Sequence, residues 1–307
     1  MGGVGSVCTE LTVWEGKTMK TAVKHCVSSA YQIGTGGGVE GRRGLAPPPI
    51  RLGLVEEKRG ILFSVVSELP SLSRPLYETL FTGRVPVTGG FVTNSSQRKA
   101  GAASVFDLAK AAGGVTALAG YGWMCELFAH TPYCAAKHKH LAPGNGSAVD
   151  AGWFYTRDDL PDTELFAEGD WLIANYSPDF CVIHPMGVDE AGHVSDMGGA
   201  DADYDRAARN VDWLLAERIP AWLAAGYRVI VTADHGMGED RSHGGTDAAE
   251  RRVPCFCFGE GMNGLAVTEE PVKQRYLAAF FARTLGLTPA LTMADGAERI
   301  KFAPVCG

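Results

Sequence analysis

From about residue 60 onward the apolar residues follow two rhythms, short continuous runs and longer stretches in which they return every three or four positions. The runs at residues 61–66, 115–119, 180–183 and 227–231 are apolar, mostly β-branched, and bounded by polar or glycine-rich segments. They read as buried strands. Residues 102–112 have helical spacing and stop at Gly113-Gly114, and residues 201–225 form a longer amphipathic pattern with Val211, Leu214, Leu215 and Trp222 on its apolar side and Gly226 at its end. These read as helices. Strand, helix, strand with short connections predicts an α/β fold with a mostly parallel central sheet and helices on both faces, in which ligands collect at the carboxyl ends of the strands. Residues 130–162, rich in His, Pro and Gly without a clear period, read as a loop or small cap. Residues 1–50 are glycine-rich and weakly periodic, with Gly36-Gly37-Gly38 and Pro47-Pro48-Pro49. The expected division is an atypical segment 1–60 followed by a single domain over 61–307.

Composition then narrows the function classes. A hydrophobic content of 46% in 307 residues is ample for a core. A net charge of -7 argues against a general affinity for nucleic acid or anionic membrane, because phosphate-rich partners need concentrated Lys and Arg. The pairs Arg42-Arg43 and Arg251-Arg252 are too short to change this. No stretch has the roughly 20 apolar residues that span a bilayer, and the first 30 residues lack an apolar core with a cleavage site, so the expected location is the cytosol. The cysteines are scattered with no Cys-x-x-Cys pair, which fits that compartment. Cys255 and Cys257 alternate with Phe256 and Phe258 in a strand-like pattern and read as buried small hydrophobes.

The chemistry concentrates at two strand ends. Asp234 and His235 stand where the run at 227–231 breaks into a loop, His243 comes eight residues later in His-Gly-Gly, and Asp189 and His193 stand four apart after the run at 180–183. Leaving a carboxylate unpaired at the end of so apolar a strand costs several kcal/mol, in the ~3–5 range, and a bound cation removes that cost. Asp and His are ligands for zinc or manganese. Asp189, His193 and His243 would fill one site, and Asp234 with His235 a second nearby. Two ions roughly 4 Å apart suit in-line displacement at phosphorus. His184 and the cluster His130, His138 and His140 match no ligand position and read as structural or solvated.

The missing part is a nucleophile, and it comes from a resemblance. The segments from Ser73-Arg74-Pro75 to Thr82-Gly83, Gly89-Gly90-Phe91-Val92-Thr93-Asn94, Asp189 to His193 and Asp234 to Gly245 resemble the alkaline phosphatase superfamily, in its type I phosphodiesterase/nucleotide pyrophosphatase-like branch. The resemblance implies a three-layer sandwich and two divalent ions, zinc first and manganese as the alternative. It implies Ser73 as nucleophile and as a ligand of the second ion, and Asn94 as a hydrogen-bond donor to a phosphoryl oxygen. The implied reaction is attack by Ser73 on a small-molecule phosphate diester or nucleotide pyrophosphate, departure of the alcohol, and hydrolysis of a phosphoserine. Phosphomonoesterase, phosphonate hydrolase and phosphomutase activity on the same scaffold are the alternatives, and Arg74, beside Ser73, would favour the more charged monoester.

One element of that pattern is missing. Members of the superfamily begin with a strand ending in an Asp that ligates the second ion, and this chain has no Asp before Asp107. Glu10, Glu15 and Glu40 are the acidic residues ahead of the Glu56-Glu57 pair, and none stands after a recognisable buried strand. Either a Glu substitutes from an unexpected position, or the N-terminus has diverged or been read in a shifted frame, leaving a weakened site or a non-catalytic relic.

Overall fold

The computed structural model describes residues 21–25, 60–194, 200–238, 240–262, 265–267, 271–296, 300 and 302–304. Its strands are β1 (Thr21–His25), β2 (Gly60–Val66), β3 (Thr116–Tyr121), β4 (His140–Leu141), β5 (Ala151–Tyr155), β6 (Phe180–Ile183), β7 (Arg228–Thr232), β8 (Arg252–Phe258), β9 (Leu265–Val267), β10 (Val272–Lys273) and β11 (Phe302–Pro304). One sheet has the order β10-β2-β8-β7-β1-β6-β3-β5-β4, and β11 pairs with β9 separately. The pairs β1–β6, β1–β7, β3–β5, β3–β6 and β2–β10 are parallel. Within this sheet only β8, antiparallel to both β2 and β7, and the edge strand β4 run the other way. The strands β2, β6 and β7 therefore all end on the same edge of the sheet.

The helices are α1 (Ser73–Thr82), α2 (Pro86–Gly89), α3 (Val105–Ala111), α4 (Gly122–Phe128), α5 (Ala135–His138), α6 (Asp162–Tyr176), α7 (Gly187–His193), α8 (Ala200–Ala224), α9 (Ala248–Arg251) and α10 (Leu277–Thr284). They cover both faces, giving the three-layer sandwich. On one face Phe81 of α1 is fully buried among Phe106, Phe128, Phe180 and Phe281, with ring centroids 5.3 to 6.2 Å away. On the other, Leu165 and Phe166 of α6 and Val211, Leu214, Leu215 and Trp222 of α8 pack with Val229 and Val231 of β7. Apolar cores on both faces explain why the strands read as continuous apolar runs rather than alternating ones.

Three sequence expectations need correction. The segment 1–60, atypical in sequence, contains β1, which lies in the middle of the sheet between β6 and β7. Thr-Ala-Val-Lys-His has no apolar run to announce it. The stretch 130–162, read as a loop or cap, supplies β4 and the fully buried β5 to the sheet. The helix expected at 102–112 is shorter, because Ser104 and Asp107 form a capping box that starts it at Val105. Glu10, Glu15, Glu40 and the Gly and Pro triplets lie outside the described residues.

The connection from β6 to α7 is held by a buried acid. Asp162, the first residue of α6, accepts the Gly187 N–H at 3.2 Å, and a Cβ at Gly187 would lie 2.5 Å from Asp162 Oδ2. Only glycine allows that approach. Asp162 borders a cleft of about 530 Å³ that is also lined by Asp158, Glu190 and Asp203. Burial raises its carboxyl to about 6, with the Gly187 N–H opposing. A raised carboxyl means that between about pH 4 and 6 the folded chain holds a proton the unfolded chain has lost. This contribution therefore falls as pH rises through that window, and the loss persists above it. Asp162→Asn keeps an acceptor for Gly187 without the charge. It should match or exceed the parent in stability at pH 7.5, by at most about 3 kcal/mol, and the gap should close by pH 4. Urea melts across that range provide the check; a variant less stable than the parent at pH 7.5 contradicts the assignment.

Candidate active site

Three strand ends deliver the site. The segment after β2 reaches Ser73 at the start of α1, where Pro75 fits the first turn because its missing N–H has no partner to lose. The segment after β6 leads into α7, which presents Asp189 and His193, one turn apart, on the same side. After β7, Ala233 precedes Asp234 and His235, and the chain then turns tightly at Gly236, where a Cβ would lie 2.0 Å from the Ala249 carbonyl oxygen. Ser73, Asp189, Asp234 and His235 are buried, and Asp234 and His235 are completely so.

The hydrogen-bond directions determine what these groups can bind. His193 Nδ1 lies 3.0 Å from the Arg241 carbonyl, His235 Nδ1 3.0 Å from the Gly236 carbonyl, and His243 Nδ1 2.9 Å from the Ser71 carbonyl. Carbonyl oxygens only accept, so each Nδ1 carries a hydrogen and, in the neutral ring, each Nε2 carries the lone pair. The lone pairs converge. His193 and His243 face each other Nε2 to Nε2 at 3.1 Å, with Asp189 Oδ1 3.6 and 3.7 Å from them. One ligand atom from each of these three residues fits within 4.8 Å of the others. His235 stacks on His243 with ring centroids 3.8 Å apart, and its Nε2 is 3.2 Å from Asp234 Oδ2 and 2.9 Å from Ser73 Oγ.

Asp189 Oδ1 and both carboxylate oxygens of Asp234 are buried with no hydrogen-bond partner among the described residues. Burial pushes the Asp234 carboxyl up, and the nearby Asp189 adds to that against the pull of His235 and His243. For Asp189 burial acts in the same direction, but the adjacent His193 and the other two imidazoles outweigh it and hold the group below its usual range. The Asp189 carboxylate beside it raises His193, while burial and His235 lower His243. Orphaned buried oxygens facing imidazole lone pairs are the donor set of a divalent cation, and outer carbonyls on Nδ1 are the usual way its ligands are oriented. The residues fit a metal. Asp234 and His235 lie side by side next to Ser73.

Asn94 reaches the same place from the loop after α2. Its side-chain oxygen accepts the Arg74 N–H at 3.0 Å, which ties it to the first turn of α1 and leaves its NH₂ as a donor. Arg74 does not face a substrate. It is buried, pairs with Glu126, donates to the Asn94 carbonyl and lies between Phe91 and Trp123. The expectation that it favours a monoester is therefore overturned. His184 is buried rather than solvated: its ring meets Tyr77 edge-on at 4.7 Å, and burial lowers it to about 4. His130 and His138 stack on each other near α5 and His140 begins β4. Sequence reasoning missed Ser71, Glu126 and Glu250, whose roles depend on partners far along the chain. The strand expected to end in Asp is β1, whose last residue, His25, pairs with Thr232, two before Asp234. Residues 26–59, which connect it to β2, lie outside the described residues.

Comparison with known proteins bears on the fold and on the segment that carries most of these residues. The family model described as "Metalloenzyme superfamily" matches residues 157–287, the segment that holds Asp189, His193, Asp234, His235 and His243. Human GPI ethanolamine phosphate transferase 2, catalytic subunit, is 25% identical over 266 residues, which are 81% of this chain and 25% of that protein. The chain thus spans about a quarter of the length of that relative. Murine ectonucleotide pyrophosphatase/phosphodiesterase 5 has the same fold, with a TM-score of 0.64 at 12% identity over 92% of this chain and 100% of that one. The C-terminal periplasmic domain of EptC from Escherichia coli, solved in complex with Zn, gives 0.57 at 14% identity over 89% and 84%. The family-model match falls on the segment that carries most of the donor set, and the fold is the one these solved structures share.

Proposed function

We propose that this chain cleaves phosphate diesters or nucleotide pyrophosphates through a phosphoserine at Ser73. The observation that carries the reading is Ser73 Oγ at the amino end of α1, 2.9 Å from the Nε2 of His235 and beside the buried Asp234 carboxylate, which no donor among the described residues satisfies. Asp189, His193 and His243 would hold one divalent ion, and Asp234, His235 and Ser73 a second, zinc being the expected metal and manganese the alternative. Bound ions supply charge stabilisation for the serine oxygen and the phosphoryl group.

The chain's own residues supply the rest. Ser73 Oγ forms a bond to phosphorus as the bond to the leaving oxygen breaks, its proton departing with that oxygen; water later cleaves the Oγ–P bond, its hydroxyl staying on phosphorus and its proton returning to Ser73. The Asn94 NH₂ donates to a non-bridging oxygen, a contact that strengthens as charge builds. The amino end of α1 favours the same negative charge. With Arg74 engaged by Glu126, it offers no free cation for the second charge of a monoester, which favours diesters.

The sequence relative supports a second reading. It is named a transferase, so the phosphoserine of this chain would pass to a hydroxyl acceptor instead of water. Product analysis with and without an added alcohol separates the two. A structure with this fold is also described as a 2-O GAG sulfatase, so fold alone does not choose the ester.

Without a carboxylate from the N-terminal strand, the two Asp residues and a Ser73 alkoxide leave two dications with one excess positive charge. The second ion should therefore be the weaker. Asp234→Asn should deplete that ion and Asp189→Asn the other, as read by metal content after gel filtration; equal loss of both in each variant argues against two separate sets. Ser73→Ala should retain metal yet lose on the order of 10³-fold or more in turnover of bis(p-nitrophenyl) phosphate. Turnover at the parent rate would exclude Ser73 as nucleophile. The parent should prefer that diester to p-nitrophenyl phosphate; the opposite preference moves the assignment to monoesters.

A further inference from the structure

Glu250, on α9, belongs to no ligand set, yet it touches the segments that carry most of the ligands. It is a buried carboxylate. Its side chain accepts the Gly245 N–H and lies 3.3 Å from the Ser71 hydroxyl. Ser71 Oγ donates to the Gly245 carbonyl at 2.9 Å and accepts the Gly244 N–H at 3.0 Å, while the Ser71 carbonyl holds His243 Nδ1. The main-chain carbonyl of Glu250 accepts the Gly236 N–H at 2.7 Å, and the Gly236 carbonyl holds His235 Nδ1. One residue thereby joins the His243 loop, the His235 turn and the segment that leads, two residues after Ser71, to Ser73.

We propose that Glu250 is a positioning residue for the metal centre. Through Ser71 and Gly245 its side chain sets the direction of His243 Nε2, and so the affinity of the Asp189, His193 and His243 set for a divalent ion. The inference rests on the metal-centre reading above. Without the carboxylate, the Gly245 N–H loses its acceptor and the Ser71 hydroxyl loses one of its three neighbours, so the loop carrying His243 is held less firmly against the segment before α1. Loss of an outer partner of a ligating histidine typically weakens metal affinity by about 10- to 100-fold. The Asp234 and His235 pair meets Glu250 through its main-chain carbonyl, and Ser73 lies two residues beyond the Ser71 contact, so a side-chain substitution should disturb that set less.

Cobalt(II) alone, titrated without substrate and followed by its visible absorption, tests this. In an Asp234→Asn background, which keeps the first set, Glu250→Ala should weaken cobalt binding about 10- to 100-fold. Ser71→Ala should act in the same direction and Glu250→Gln, which can still accept from Gly245, less strongly. In an Asp189→Asn background Glu250→Ala should leave the remaining set within about threefold of its parent. Unchanged binding in the first background overturns the inference, as does an equal loss in both with a lowered melting temperature, which would mark Glu250 as structural only. If Glu250→Ala does not fold, Ser71→Ala and Glu250→Gln decide in the same way. A parent chain that takes up no cobalt overturns the metal-centre reading and this inference with it, whereas equal affinity in parent and variants overturns the inference alone.

Discussion

The site depends on a conflict between lone pairs. Three imidazoles have their Nδ1–H groups committed to main-chain carbonyls, and two of their Nε2 atoms face each other at 3.1 Å with no hydrogen to share. Add carboxylate oxygens that no donor among the described residues reaches, and the interior holds a concentration of negative potential that those residues do not neutralise. A cation in that space turns each repulsion into a bond. The geometry is thus prepared in advance, by carbonyls that belong to ordinary turns, and the cost is carried by the packing around it.

That packing is a matter of parallel strands. Because β2, β6 and β7 run the same way, their ends release Ser73, Asp189 and Asp234 on one edge, and the helices beyond them carry the side chains back over it. Phenylalanines hold α1 against the sheet from below, so the serine sits on a rigid support. Asn94 and Arg74 then fix the first turn of α1 from the side, with Glu126 balancing the buried guanidinium. Positions are set by main-chain geometry more than by long flexible side chains, which favours precision.

Much of this was legible in the sequence where the signal was local. Asp234-His235 stood out because an acid and an imidazole directly after an apolar run need a reason to be there, and β2, β3, β6 and β7 were readable because both faces of the sheet are covered. Where the signal was distant, reading failed. Ser71 and Glu250 are 179 positions apart, and neither residue type is unusual in its own neighbourhood. Arg74 looked available to a substrate because Glu126, 52 residues on, gives no hint in sequence of claiming it. β5 was obscured by the irregular residues before it, and β1 by a lysine and a histidine in a strand whose place is nonetheless central.

The position of β1 carries a consequence for how the molecule holds together. Five residues near the start of the chain bridge β6 and β7, so among the described residues the main-chain ladder is continuous across the middle of the sheet only through their pairing. Take that strip away and β6 and β7 would face each other across a gap of about 9–10 Å, two strand spacings, too wide for direct hydrogen bonds. Each would then show an unprotected edge in the middle of the fold. Pairing of this kind asks only that a segment extend, and is nearly indifferent to which residues do so. The keystone of the sheet can therefore be written in almost any letters, which is how a strand can sit at the heart of this architecture without the sequence mark by which such strands are usually known.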